Sequence, residues 1–193
     1  MNKKTTKGMT LIELVVAVAI FAVLASLAVP NLKSFMRSNR LTSATNDLAS
    51  SLNMVRSEAV KRSTSIKLCI SDANQSDCNT GSTSWEDGWL AFIDSNDDDA
   101  IDSGETVLRV HAGPGGGTTL RSEQFPSTIT FNSDGSAEAI GSFRICDEEA
   151  NAQRARGINI TNTGNISAAK DTDSDDIRNI YTGTSTWGEI SCP

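Results

Sequence analysis

Histidine is almost missing from this chain: His111 is the only one among 193 residues. A serine or cysteine triad, or a histidine-rich metal site, therefore has a single imidazole to draw on. No G-x-S-x-G segment is present. The glycine run Gly113-Pro114-Gly115-Gly116-Gly117 lacks the G-K-[ST] ending of a phosphate cradle. With four prolines and 14 glycines the chain is neither collagen-like nor low-complexity. A basic excess is missing too. Lysines and arginines number 17 against 24 acids, a net charge of −7, which argues against a general nucleic-acid coat. Apolar residues are 38%, low for a globular chain, yet the length suffices for one domain with a core plus an appendage.

What is present is unevenly placed. Met1 to Gly8 hold Lys3, Lys4 and Lys7 and no acid; the remainder has 14 basic against 24 acidic residues, a net −10. A basic end before an acidic body reads first as a targeting signal. From Leu14 to Val29 every residue but Ser26 is apolar, and Met9 to Pro30 carries one charge, Glu13. As a helix those 22 residues would be ~33 Å long, enough to cross a bilayer core with the positive end cytoplasmic. A cleaved secretory signal, with Ser26-Leu27-Ala28 as its cut site, and a plain single-pass anchor are the simpler alternatives. Neither has a use for Glu13, because an acid in an apolar run costs ~2–3 kcal/mol at mid-membrane.

The segment Lys7-Gly8-Met9-Thr10-Leu11-Ile12-Glu13-Leu14 resembles the class III signal of type IV pilins and type II secretion pseudopilins. That resemblance implies cleavage by a prepilin peptidase between Gly8 and Met9, with methylation of the new Met9 amine. It also implies that Glu13, fifth in the mature chain, pairs with the terminal amine of a neighbouring subunit. Four residues of helix separate the two groups by ~6 Å, so a neighbour staggered by that much would bring opposite charges together. Met9 stands where the family more often has phenylalanine.

Pro30-Asn31 predicts a kink rather than a stop. Beyond it Leu41, Thr45, Leu48, Leu52, Val55 and Ala59 form one apolar stripe, backed by Ser43, Asn46, Asp47, Ser50, Asn53 and Arg56. The spacing predicts a helix from Met9 to about Arg62, ~80 Å long, whose second half lies against a sheet. A coiled coil is the alternative. After Thr64 the pattern becomes short strands: residues 66–70, 88–93, 105–110, 127–132, 141–146, 157–161 and 164–167. The expected fold is α+β, a long amino-terminal helix packed on an antiparallel β-sheet head. Its parts are a leader (1–8), a membrane helix (9–30), an amphipathic half (31–62) and a β-rich head (63–193). Three further segments resemble the H-type pseudopilins and the FimU/FimT minor pilins. They are Trp85 to Asp94, Met54 to Val60, and Asn132-Ser133-Asp134-Gly135.

Four cysteines beyond a membrane segment predict two disulfides, with three pairings open. Cys69–Cys78 with Cys146–Cys192 is favoured, the first closing a short loop and the second tying down the carboxyl end. A zinc site built from all four thiolates is the alternative, without any C-x-x-C spacing to support it. The acidic loop Asp94 to Glu105 fits a calcium-loop template. Asp94, Asn96, Asp98, Asp102 and Glu105 stand at positions 1, 3, 5, 9 and 12, and Ala100 offers a carbonyl at position 7. It departs at position 6, where Asp99 replaces glycine, and its flanks read as strands. Two readings stay open, a structural calcium ion and a solvated hairpin loop; no cofactor is required. A second acidic run, Asp171 to Asp176, lacks a completing carboxylate.

The resemblance implies a non-enzymatic filament subunit held in the inner membrane with a periplasmic head. The resemblance implies a minor pilin or pseudopilin that primes or caps a type IV pilus or a type II secretion pseudopilus. Its partners would be prepilin peptidase, other minor and major subunits, an inner-membrane assembly platform and lipid. A DNA-binding minor pilin is the alternative. The stretch matching that group's Gly-Arg-x-Arg motif is Gly164-Asn165-Ile166-Ser167, without either arginine. Arg154 and Arg156 remain nearby, and pairing with Asp147, Glu148 or Glu149 is expected for them. His111 is read as a strand-end residue with no catalytic partner.

Overall fold

A computed structural model describes residues 8–183 and 187–192; residues 1–7 of the expected leader lie outside it. Among the described residues one α-helix, α1 (Leu11–Arg62), is followed by ten strands and a single 3-10 turn at Trp85–Asp87. The helix starts on a reciprocal cap. Thr10 Oγ1 accepts the Glu13 N–H at 3.3 Å, and Glu13 Oε2 accepts the Thr10 N–H at 2.9 Å. It continues through Pro30 without leaving helical geometry. At the far end Ser63 takes the left-handed conformation (φ 52°). Its N–H bonds Val60 O, and the Thr64 N–H bonds Ala59 O, closing the helix as a Schellman motif.

The chain divides into two compact units between Ser38 and Asn39, within α1. Hence the carboxyl half of the helix is part of the head rather than a separate segment. In the first unit the apolar side chains are solvent-facing, from Met9 and Leu11 to Phe35 and Met36. In the second, Leu41, Ala44, Leu48, Leu52, Val55 and Ala59 are fully buried. Ala44 takes the place in the stripe that the sequence spacing assigned to Thr45. The Thr45 hydroxyl turns back to donate to Leu41 O at 2.7 Å.

The helix stripe packs on two antiparallel sheets. The first has the order β3 (Thr106–Ala112), β2 (Gly88–Ile93), β1 (Ile66–Ile70), β5 (Thr128–Phe131). The second runs β4 (Thr119–Arg121), β6 (Gly141–Cys146), β7 (Arg156–Ile160), β8 (Ile166–Ala168). A ribbon of β9 (Asn179–Tyr181) and β10 (Trp187–Glu189) completes the head. One core joins the helix to both sheets, through Ile66, Leu68 and Ile70 of β1, Trp89 of β2, Phe143 of β6 and Ile158 of β7. Strand alternation sends Lys67 and Cys69 of β1 to the opposite face. There Cys69, Leu90 and Phe92 make a small second cluster, covered by Cys78 and Ile101. A third cluster, with Ala155, Ala169, Ile180 and Ile190, lies under the ribbon and includes Cys146 and Cys192.

The cysteines form two disulfides, Cys69–Cys78 and Cys146–Cys192, closing loops of 9 and 46 residues. Each joins a strand of one sheet to the segment lying over it.

Candidate functional site: the amino-terminal helix end and the acidic loop

The residues assigned to processing and assembly stand together at the start of α1. Among the described residues a Cβ on Gly8 would meet no atom within 4 Å. Met9 is exposed, and so are Leu11, Ile12, Leu14, Val15 and Val16 around Glu13. The Glu13 carboxylate takes both the N–H and the hydroxyl of Thr10 at 2.9 Å. An acid at this place thus caps its own helix in the isolated subunit, where the dipole also favours negative charge. Thr10 is a residue the sequence reading passed over. The T-x-x-E spacing of Thr10 to Glu13 is a capping-box signature and would have found it.

The acidic loop is built around a lysine. Lys67 Nζ lies 2.9 Å from Asp94 Oδ2, 2.7 Å from Asp97 Oδ1 and 2.6 Å from Asp99 Oδ1. The side chains of Lys67 and Asp94 are 7% and 2% exposed, so this pair is buried, while Asp97 and Asp99 reach it from the exposed side. Burial pushes the lysine toward neutrality, but hydrogen bonds to the three carboxylates outweigh it and hold the ammonium above its ordinary range. Burial likewise pushes the Asp94 acid up. The Lys67 ammonium and the N–H groups of Asp99 and Asp97 overcome that and hold it below the usual carboxylate range.

The loop backbone follows the calcium template even where its sequence departs. Asp99, in the glycine position, takes φ 63°, and Asp97 takes φ 62°. Asp94 accepts the N–H groups of Asp97 and Asp99 at 2.6 and 3.0 Å. Asn96 bridges Asp98 and Asp102 at 3.0 and 2.9 Å. Glu105 turns to the N–H groups of Ser95 and Asp102, and the Ala100 N–H bonds Asp98. Asp94 therefore faces the lysine while Asn96, Asp98 and Asp102 form a separate cluster. Of the template positions, Lys67 meets Asp94 alone. Among the described residues, carboxylate oxygens gather within 4.8 Å in threes only at Asp171, Asp173 and Asp175, in the second acidic run.

Against this geometry stand the known proteins that the chain is similar to. The model of the type II transport protein GspH family matches residues 44–164. The chain belongs to the GspH family. The prokaryotic N-terminal methylation motif matches residues 3–29, the span holding Gly8, Met9 and Glu13. The pilin-like protein PilA1 of Thermus thermophilus is 30% identical over 127 residues, 65% of this chain and 72% of that protein. The crystal structure of the type IV minor pilin FimU of Pseudomonas aeruginosa has the same fold. It matches at TM-score 0.57 and 22% identity over 70% of this chain and 92% of its own. A second crystal form of FimU matches at TM-score 0.53 and 21% identity, covering 67% and 93%.

The GspH match begins at Ala44 in the buried stripe and ends just past β7. Two segments that read as separate family marks meet in space within it. Arg56 on α1 donates to Gly135 O at 2.9 Å and Thr163 O at 3.3 Å, clamping two turns onto the helix. The Trp85 and Trp89 block braces the core. Trp85 Nε1 donates to Phe125 O and Trp89 Nε1 to Ser51 Oγ, at 2.8 and 2.9 Å. His111 stacks on Trp89, with centroids 4.4 Å apart and planes 2° from parallel. Its Nε2 is 3.9 Å from Asp47, while the Ser51 hydroxyl is engaged by Trp89 and Asp47 O. Arg154 pairs with Asp147 at 2.7 Å and Glu149 at 2.5 Å. Arg156 donates to Arg154 O at 2.8 Å, so both guanidinium groups are committed within the head.

Proposed function

We propose that this GspH-family chain is a minor pilin or pseudopilin, a structural rather than catalytic part of a filament. Prepilin peptidase cuts between Gly8 and Met9 and the Met9 amine is methylated. The apolar half of α1 holds the subunit in the inner membrane with its head on the periplasmic side. An assembly platform then draws it among other minor and major subunits, where it primes or caps the fibre. One observation carries the reading: the apolar surface from Met9 to Met36 is open on the single chain, with one carboxylate, Glu13, at its start. Such a surface needs lipid or other helices around it. A carboxylate inside that layer needs a cation. The cleaved amine of a neighbouring copy is the group of matching charge and height, and Glu13 exchanges its Thr10 cap for it on assembly.

The test has two arms. Mass spectrometry of protein purified from cells is expected to find a chain beginning at methylated Met9; a start at Val29 would defeat the proposal. Glu13→Ala and Glu13→Gln are each expected to insert in the membrane normally but to be depleted from sheared filaments. Normal incorporation of Glu13→Ala would sink the pairing model.

A further inference from the structure

Asparagine followed two places later by serine or threonine, with no proline between, is the acceptor pattern for N-linked sugar on exported chains. The sequence holds it three times, at Asn74-Gln75-Ser76, Asn159-Ile160-Thr161 and Asn165-Ile166-Ser167. The fold separates them. Asn159 is 7% exposed within β7, so its amide is out of an enzyme's reach. Asn165 is exposed but bound into the β7–β8 turn. Its carbonyl accepts the Thr161 N–H at 3.1 Å, its own N–H meets Thr161 Oγ1 at 3.2 Å, and Ser167 is paired with Asn159 in the sheet.

Asn74 is placed differently. Residues 73–77 are all exposed, at the tip of the loop closed by Cys69–Cys78. The base of that tip is framed by Asp72. Its N–H bonds Asp77 O at 2.8 Å, and its carboxylate accepts the N–H groups of Ser76 and Asp77 at 2.7 and 3.1 Å. The Asn74 side-chain amide has no partner among the described residues. These hydrogen bonds face solvent, and residues 73–77 place no side chain in a core cluster. The tip can therefore open while the disulfide keeps its base. Cys69 lies on the face of β1 turned from the α1 stripe, so the tip is clear of the helix packing in the head. Charge singles out the same site. Asp72 stands two places before Asn74, where Asn159 has Gly157 and Asn165 has Thr163. A carboxylate there offers a basic group of an enzyme a charge-assisted hydrogen bond beside the amide.

We propose that Asn74 is an N-glycosylation site, modified by a membrane oligosaccharyltransferase that uses a polyprenyl-pyrophosphate-linked oligosaccharide. Asn74 Nδ2 attacks the anomeric carbon of the sugar. The N–C bond forms as the C–O bond to pyrophosphate breaks. The lipid pyrophosphate leaves with the electron pair, and one amide proton passes to a base of the enzyme. The Ser76 hydroxyl and the Asp72 carboxylate are the groups the enzyme grips. The inference rests on the periplasmic placing of the head proposed above, since the sugar is transferred on that side.

The test is peptide mapping by mass spectrometry of the full-length chain purified from the cells that make it. The Met9 and Asn74 peptides are read from one digest. The Asn74 peptide is expected to gain the mass of several sugar residues and to release sugar fragment ions. Asn74→Gln and Ser76→Ala are each expected to remove the gain, and Ser76→Thr and Asn165→Gln to leave it. Asp72→Asn keeps an acceptor for the Ser76 N–H but loses the charge; it is expected to lower the yield of glycopeptide about tenfold. An Asn74 peptide of unmodified mass, or one with the small gain of deamidation alone, would overturn the proposal. Methylated Met9 beside such a peptide leaves the filament reading standing, whereas an uncut amino terminus beside it defeats both. Sugar retained in Asn74→Gln would also overturn the proposal, by placing the modification elsewhere.

Discussion

Lys67 is where one side chain decides a local structure. Removing it as Lys67→Met leaves Asp94 buried among Asp97 and Asp99 with no cation, and breaking a pair of this kind costs roughly 3–5 kcal/mol. A fall in melting temperature measures it. Calcium is expected to raise the melting temperature of Lys67→Met more than that of the parent, because an ion then supplies the missing charge. An equal response in both would mean that the lysine and the ion do not share a place. The pH dependence has two limbs. Asp94 and Asp147, buried yet held below the usual range by Lys67 and Arg154, contribute stability above the unfolded aspartate value of about 4. That contribution goes as pH falls through their lowered folded values. Lys67 is held high, so its contribution is complete below the unfolded lysine value of about 10.4 and goes as pH rises through the folded one. Melting temperature is therefore expected to drop below about pH 4 in the parent, and to drop less in Lys67→Met, where protonating an orphaned Asp94 relieves its burial. The acids are legible from their spacing. Their counter-charge is not, because Lys67 looks like a polar interruption of Ile66-Lys67-Leu68-Cys69-Ile70, and its partners come 27 to 32 residues later.

At the level of the element, α1 is two helices in one. Its head-side stripe is wholly enclosed, and Leu48→Ala is expected to cost about 2–5 kcal/mol in denaturant unfolding. Ser51→Ala removes little volume but strands the buried Trp89 indole N–H, and about 1–3 kcal/mol is expected. Val at the same position would do no better, since it too lacks an acceptor. Periodicity makes the helix and most strands readable. It misjudges one turn, choosing Thr45 over Ala44, because a helix face tolerates a small residue and a threonine can satisfy itself on its own backbone. Three strands of three residues each, β4, β9 and β10, go unread because alternation is too short to register; β8 is as short but is marked by the Gly164-Asn165 turn before it. The β9–β10 pairing, with Trp187 opposite Tyr181, arises only once the carboxyl segment is brought back across β6 and β7.

For the whole molecule, the signal, the lone acid and the apolar run identify the membrane-side half from sequence, since each is a contiguous string. The head can be anticipated only as a class of fold, because its core joins residues as distant as Leu41 and Ile160. The two disulfides hold the head unequally. In the chain-entropy account, loops of 9 and 46 residues correspond to about 2.6 and about 4 kcal/mol. Replacing Cys146 and Cys192 by serine is expected to lower the melting temperature more than replacing Cys69 and Cys78; the reverse order would show that residual structure in the unfolded chain, not loop length, governs them.

The larger loop also sets a schedule. Synthesis at about 5–20 residues per second delivers Cys192 some 2–9 s after Cys146. Cys78 follows Cys69 within about 2 s, long before Cys146 exists. A chain that oxidises as it emerges will have closed its first bridge before a competing thiol arrives, leaving Cys146 a single free mate. For such a chain the order of manufacture favours one of three combinatorial outcomes, and the advantage lasts only if oxidation keeps pace with synthesis.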